Sequence, residues 1–382
     1  MNRVIHAITP GDHYSPRTGS AIPTVVHGIA KAAAQDASQP SYQQFVLVAR
    51  DTFRPRYDSA TSIEFEDVAA PSRSARVIEA GLAVFGGHRT ASARYWQPEV
   101  DVLANEEPAI VIAHNAPVLP WMLRSSPHRV VLYAHNDLVR TMTRYEASRA
   151  FDNVAAIVCV SESLAGQMSR RLPRSLVGRL RVVENGVDCE QFSPRGHVST
   201  SAVRVMFVGR MIPEKGVDVL LQAAAVLSRD DVELVIVGSH GFDRDAELSP
   251  YEQELRELAK RSRVPVQFLP FVAREELPGL LQSADIVVVP SRWQEPSALT
   301  AGEALATGLP VIASRIGGIP SVIGTAGVLV QPDDPAALAR EIERLADDPL
   351  ARAELAAAAR RRAREHDWSW TWSTLKTVLA EL

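Results

Sequence analysis

The sequence predicts an α/β protein built as two Rossmann-like, doubly wound domains facing a central cleft. Three observations carry this. The chain has 382 residues, more than one ordinary core accommodates. Short β-branched runs alternate with Ala-rich helical stretches, the pattern of parallel α/β units. The same rhythm starts afresh after a Pro-, Gly- and Ser-rich interruption, Phe192-Ser193-Pro194-Arg195-Gly196-His197-Val198-Ser199-Thr200-Ser201.

In the first half the strand candidates are Val4–Ile8, Phe45–Ala49, Ile110–Ala113, Val130–Tyr133, Ile157–Val160 and Arg181–Val183. Their near-continuous apolar character suits strands covered on both faces. Residues 50–100 carry a weaker signal, broken by Ser, Arg and Gly, and read as loop plus a variable helical element. In the second half the strands are Val203–Val208, Glu233–Val237, Gln267–Leu269, Ile286–Val289 and Val311–Ala313. Helices fall at about 216–228, 250–262, 298–307, 335–346 and 350–365. This gives an N-terminal domain over 1–195, a second domain over 196–365 and a C-terminal segment over 366–382. In doubly wound sheets ligands bind beyond the carboxyl ends of the strands, so residues with chemistry should stand just after them.

Composition narrows the class. Apolar residues make up 46% and charged residues 23%, ordinary for a soluble globular chain. The net charge of −4 hides a division: up to Arg195, 21 Lys and Arg face 19 Asp and Glu, and beyond it 20 face 26. Residues 124–181 hold ten Arg against Asp137, Glu146, Asp152 and Glu162. That excess fits an acidic acceptor or a membrane surface, and equally an ordinary solvated face. No RNA or DNA motif accompanies it, so nucleic acid is not an expected partner. Cys159 lies in an apolar run and Cys189 in a turn, with no disulfide spacing, which favours a reducing compartment. Arg3, His6 and Asp12 interrupt any signal core, and no run reaches the roughly 20 apolar residues of a membrane span. A cytoplasmic protein, with peripheral membrane contact if the Arg excess serves that purpose, is the expectation.

Two segments carry chemistry. The first runs from Val289-Pro290-Ser291 through Arg292-Trp293-Gln294-Glu295-Pro296-Ser297-Ala298 into Leu299-Thr300-Ala301-Gly302-Glu303-Ala304. It leaves a strand, turns and enters a helix, with Pro296 at or before the first turn. The amides around Ala298 to Thr300, those of Leu299 and Thr300 among them, form a ready anion site. Carboxylates beside an anion site make sense where the ligand also presents hydroxyls, which Glu295 and Glu303 would accept. The plainer alternative makes Glu295 an acid favoured by the helix dipole and Glu303 a solvated helix residue. The second segment, Val208-Gly209-Arg210-Met211-Ile212-Pro213-Glu214-Lys215-Gly216, likewise lies between strand and helix. Arg210 offers a planar fork and Lys215 a point charge, together suited to a diphosphate, and Gly209 and Gly216 permit close backbone approach. Surface charge on a Gly turn is the alternative.

Gly-Arg-x4-Lys-Gly, followed about eighty residues on by Glu, seven residues and Glu, resembles glycosyltransferase family 4, retaining enzymes of the GT-B fold. Val183-Glu184-Asn185-Gly186-Val187-Asp188, Gly317-Gly318-Ile319-Pro320 and Ala284-Asp285-Ile286-Val287-Val288-Val289-Pro290-Ser291 support the likeness, which extends over nearly the whole chain. His114-Asn115 and His135-Asn136-Asp137 are similar to spore-coat-associated and lipopolysaccharide-core-like members. The resemblance implies a nucleoside-diphosphate-sugar donor and a hydroxyl acceptor: a glycan, glycolipid or small metabolite, acidic or lipid-linked if the Arg excess faces it. It implies Arg210 and Lys215 at the diphosphate, Glu303 at the ribose, Glu295 at the transferred sugar, backbone near Val272 at the nucleobase, and His135 beside the reacting sugar. His114 is the competing choice. Gly19, in Thr18-Gly19-Ser20, stands where members carry a Gly-Gly pair and would approach the diphosphate. Ser297-Ala298 replaces the common Phe-Gly, and the added methyl would reshape the sugar pocket.

No His/Cys cluster suggests a metal, and neither a metal nor a cofactor is expected beyond the sugar nucleotide itself. Trp368, Trp370 and Trp372 suit burial that anchors the terminal segment, with a stacking platform as the alternative. A GT-B epimerase or hydrolase and a non-catalytic sugar-nucleotide binder are the rival functions.

Overall fold

A computed structural model describes residues 2–84, 87, 89–194 and 202–382. The chain forms two compact units, residues 1–185 with 368–382, and residues 186–367. The boundary expected at 195/196 falls among residues 195–201, which lie outside the described residues.

The first unit holds a seven-stranded parallel sheet: β1 (Arg3–Ala7), β2 (Gln43–Ala49), β3 (Thr61–Phe65), β4 (Ile110–His114), β5 (Arg129–Ala134), β6 (Val154–Cys159) and β7 (Leu180–Val182), in the order β3-β2-β1-β4-β5-β6-β7. The second holds a six-stranded parallel sheet: β8 (Val203–Val208), β9 (Val232–Val237), β10 (Val266–Leu269), β11 (Ile286–Val289), β12 (Val311–Ser314) and β13 (Val328–Val330), in the order β10-β9-β8-β11-β12-β13. Each order reverses once, between β1 and β4 and between β8 and β11. Both units are therefore doubly wound, and each switch point marks where its ligand crevice should open.

Alternation within the strands explains the layers. In the second unit Val205, Phe207, Leu234, Ile236, Ile286, Val288 and Ile312 face one cluster with helices Val217–Ala224, Pro250–Ala259 and Pro335–Asp347. Met206, Val235, Val237, Val287, Val311 and Ala313 face the other, with helices Leu277–Leu281, Leu299–Ala306 and Ile319–Ile323. Successive side chains point to opposite faces, so a sheet covered on both sides needs apolar residues at nearly every position.

The sequence reading missed β3 and β13. β3 is an edge strand of five residues whose Glu64 serves Arg54 and Arg56, and β13 is three half-buried residues at the opposite kind of edge. β3 lacks the apolar run by which central strands are recognised, and in β13 that run is only Val328-Leu329-Val330. Residues 50–100 also contain helices Arg73–Val84 and Thr90–Leu103.

The terminal helix Trp368–Ala380 packs on helix Ala21–Gln35. Trp368 and Trp372 are buried, and a Cβ at Gly28 would overlap the Trp368 ring. Lys376 Nζ donates to Asp36 Oδ2 at 2.8 Å, Ser38 donates to Oδ1 from both side chain and backbone, and Trp372 Nε1 donates to Oδ2 at 2.8 Å, together holding that carboxyl well below its usual range. Trp370 is half-buried.

Candidate functional site

The two segments singled out in the sequence leave β8 and β11, the strands on either side of the second unit's switch point. Gly216 adopts φ 69°, and a Cβ there would overlap the carbonyl oxygen of Pro290. Only glycine combines the left-handed backbone with that approach. The Arg292 N–H donates to Glu214 O at 3.0 Å, and its guanidinium bridges Asp218 and Asp333, each at 2.8 Å. The β8 and β11 loops are thus joined by backbone and side chain.

Glu295 is the focus of this junction. Its Oε2 accepts from Lys215 Nζ at 2.7 Å, Trp293 Nε1 at 2.8 Å and Ser291 Oγ at 3.3 Å, and the residue is only 6% exposed. Its backbone is fixed from the other side: Gly318 N–H donates to Glu295 O at 2.6 Å, and a Cβ on Gly317, at φ 59°, would overlap Glu295 N and O. The Gly317-Gly318 turn therefore has a specific task, to let the loop after β12 close on Glu295.

Glu303 lies inside helix Leu299–Ala306, 3% exposed. Arg274 Nη1 approaches its Oε1 to 2.7 Å. The approach is ionic only; its angle forms no hydrogen bond, and Oε1 is a buried acceptor otherwise without one. A carboxylate oxygen left this way has capacity for a donor from a ligand. Arg274 also lies over the Phe192 ring, 5.5 Å from its centroid. Glu295 and Glu303 are therefore buried, cation-paired groups rather than a helix-start acid and a solvated one.

The remaining candidates fall into place individually. Helix Leu299–Ala306 starts without a side-chain cap, and among the described residues the N–H groups of Leu299 and Thr300 have no hydrogen-bond partner. Arg210 is exposed, and its guanidinium makes no hydrogen bond or ion pair among those residues. Val272 follows β10 half-buried; neither its N–H nor its carbonyl is hydrogen-bonded among the described residues. Ala298 is buried in the apolar cluster beneath the helix, 7% exposed.

In the first unit His135 follows β5 and His114 ends β4, so neither displaces the other. His114 Nδ1 and His135 Nε2 are 2.8 Å apart, and His6 Nδ1 lies 2.9 Å from His114 Nε2. Burial pushes His6 down to about 4 and His135 down to about 3, and holds His114 well below 6.5 with help from its two neighbours. All three are neutral at pH 7. Gly19 belongs to the same unit, exposed in the loop before helix Ala21–Gln35; the flanking loop is held by Ser20 Oγ donating to Asp12 at 3.1 Å. The Arg excess of residues 124–181 is partly consumed inside this unit. Arg171 pairs with Asp137, Arg181 with Glu381, and Arg179 donates to the carbonyls of Phe151, Asp152 and Val154.

Sequence reasoning missed Arg274, although a lone Arg after an apolar loop gives little signal. Ser291 and Trp293 likewise gain their role only from the structure, as donors to Glu295. Both cysteines are free, Cys159 buried and Cys189 half-buried. No helix among the described residues is long and apolar enough to cross a membrane, and no group of three or more His, Cys, Asp or Glu there could hold a metal ion.

Comparison with known proteins fits this geometry. The chain is 34% identical over 224 residues to spore coat protein SA of Bacillus subtilis, covering 54% of this chain and 59% of that one. It is 39% identical over 209 residues to a D-inositol 3-phosphate glycosyltransferase of Salinispora arenicola, covering 48% and 45%. The matched stretch thus spans about half the length of these curated relatives. The crystal structure of Anabaena HepE in complex with UDP and glucose superposes with TM-score 0.72 at 18% identity, covering 99% of both chains, which shows the shared GT-B fold. The family model described as Glycosyltransferase Family 4 matches residues 45–191, that described as Glycosyl transferases group 1 matches residues 191–365, and with residues 45–365 so accounted for, the chain belongs to the family 4 glycosyltransferases.

Proposed function

We propose that the chain transfers a sugar from a nucleoside-diphosphate sugar to a hydroxyl acceptor with retention of configuration. The observation that carries this reading is the pairing of two buried carboxylates, Glu295 and Glu303, with cations at one switch point, beside unpaired helix amides. A site for phosphate alone has no use for acids. A ligand with both phosphates and hydroxyls uses everything present.

In this reading Arg210, Lys215 and the amides of Leu299 and Thr300 hold the diphosphate, and Glu303 accepts from the ribose hydroxyls. Val272 offers its backbone to the base, and Glu295 accepts from the transferred sugar. Gly19 and His135 are the first unit's candidates, for the diphosphate and for the reacting sugar respectively. As the bond from the anomeric carbon to the phosphate oxygen breaks, its electron pair leaves with the diphosphate. Negative charge grows where Arg210, Lys215 and the amides are already aimed, an electrostatic contribution that needs no reorganisation. The acceptor oxygen bonds to the same face of the carbon, and its proton passes to the departing phosphate oxygen. No separate cofactor or metal has a role in these steps. The acceptor is a glycan, a glycolipid or a small metabolite.

The test is product analysis. Incubation with an accepted donor and acceptor, followed by NMR of the anomeric proton, should show the donor's configuration in the product. The inverted anomer would overturn retention. Epimerised donor without transfer, or binding with no turnover, would overturn the transferase reading itself.

A further inference from the structure

Four polar side chains cross the first unit's sheet in a single row. Gln44 on β2 pairs in register with Val4, two residues before His6 on β1. His6 pairs with Ile112, two residues before His114 on β4, and His114 pairs with Tyr133, two residues before His135 after β5. A step of two residues keeps each side chain on the same face. The row therefore climbs diagonally across four adjacent strands and through the switch point, toward the carboxyl end. All four residues are buried, in strands otherwise filled with apolar side chains.

The row has a direction. Gln44 Nε2 donates to Tyr42 O at 3.2 Å, and a carbonyl can only accept, so the Gln44 amide cannot be turned over. Its Oε1 is then left facing His6 Nε2 at 2.9 Å, which must carry the proton. A neutral imidazole has one N–H, so His6 Nδ1 is an acceptor and His114 Nε2 the donor to it. By the same step His114 Nδ1 is an acceptor and His135 Nε2 the donor. What remains is Nδ1 of His135, bare, without a partner among the described residues and not among the atoms sealed from solvent. A proton added on His6 Nδ1 or His114 Nδ1 would set two donors face to face, whereas His135 Nδ1 faces no donor of the row.

We propose that Gln44, His6 and His114 are positioning residues that hold His135 in one tautomer, protonated on Nε2 and bare on Nδ1, so that His135 presents a fixed hydrogen-bond acceptor to a hydroxyl of the bound sugar. The substrate half of this rests on the transferase reading, with His135 beside the reacting sugar; the tautomer half does not. A free histidine exchanges tautomers and would offer a donor for part of the time. Here the choice is made at the far end of the row by a glutamine three side chains away. Tuning a histidine through the bond on its other nitrogen is a general device, and this row extends it over three rings.

NMR of the full chain with 15N-labelled histidine reads the tautomers without any substrate. Wild type should show His135 protonated on Nε2 only. Gln44→Leu removes the acceptor, and His135 should then populate both tautomers. Gln44→Glu keeps an acceptor and should restore the wild-type state. In transfer assays kcat/KM should fall about tenfold or more in Gln44→Leu and recover in Gln44→Glu. A wild-type His135 carrying its proton on Nδ1, or a tautomer unmoved by Gln44→Leu, would overturn the proposal. A fixed tautomer in a protein that transfers no sugar would support the row and overturn the transferase reading alone.

Discussion

Lys215 Nζ lies 2.7 Å from Oε2 of Glu295, a contact that joins the loop after β8 to the loop after β11 across the switch point. It sets the site's charge before any ligand arrives. The cation suited to a diphosphate and the carboxylate suited to a sugar hydroxyl hold each other in place. Removing the cation leaves a 6%-exposed carboxylate with only Ser291 and Trp293 as donors. Lys215→Ala should therefore weaken folding by about 1–3 kcal/mol, the usual cost of leaving a buried polar group under-satisfied. Adding Glu295→Gln should recover part of that loss, since the two residues are coupled. Urea unfolding of the two single variants and the double variant measures it. Additive losses would show that the pair is not coupled.

Glycine 317 gives a prediction about geometry rather than charge. Its φ of 59° and the overlap a Cβ would make with the Glu295 backbone leave no room for alanine. Gly317→Ala should cost upwards of about 1 kcal/mol, because φ is unfavourable and the loop must move. Donor affinity should fall with it, through a displaced Glu295. An alanine variant with wild-type melting temperature and donor affinity would count against the turn's role.

Glu303 and Arg274 separate two kinds of loss. Glu303→Gln keeps the shape but removes the charge that faces Arg274. It should lower affinity for a nucleoside diphosphate by roughly tenfold, about 1.4 kcal/mol, and by much less for a 2′,3′-dideoxy analogue that offers no ribose hydroxyl. Calorimetric titration with both nucleotides decides this. Equal losses for the two would place Glu303 away from the ribose.

The buried histidines make stability depend on pH. His6 and His135 sit near 4 and 3 when folded, against 6.5 for an ordinary imidazole. As pH falls below 6.5 the unfolded chain takes up protons that the folded chain refuses. The stability is thus complete above about pH 6.5 and is lost progressively toward about pH 4, by up to about 1.4 kcal/mol per pH unit for each such histidine. Denaturant unfolding at several pH values between about 7 and 5 should show the decline. A flat profile would mean that the row is charged or open to water.

Much of this was legible in the sequence because its information is local. Arg210, Lys215, Glu295 and Glu303 lie in segments whose order of strand, turn and helix is set by neighbouring residues, and the fold brings those segments together at one switch point. Arg274 was not legible, since its meaning comes from a loop closing over a helix distant in the chain. His6 and Gln44 left a fainter trace. Both are polar residues inside or beside apolar runs, and only strand order and register reveal that they form one row. β3 and β13 escaped because edge strands need not bury both faces.

The account depends on a sugar-nucleotide site in the second unit, and ligand-induced stabilisation tests that directly. A ligand that binds only the folded chain raises its melting temperature by mass action. With UDP-, GDP-, ADP- and dTDP-sugars at millimolar concentration, at least one should raise the melting temperature of the wild type by several degrees, and the rise should be lost in Arg210→Ala. No shift with any of the four, or a shift that Arg210→Ala leaves intact, would contradict the site.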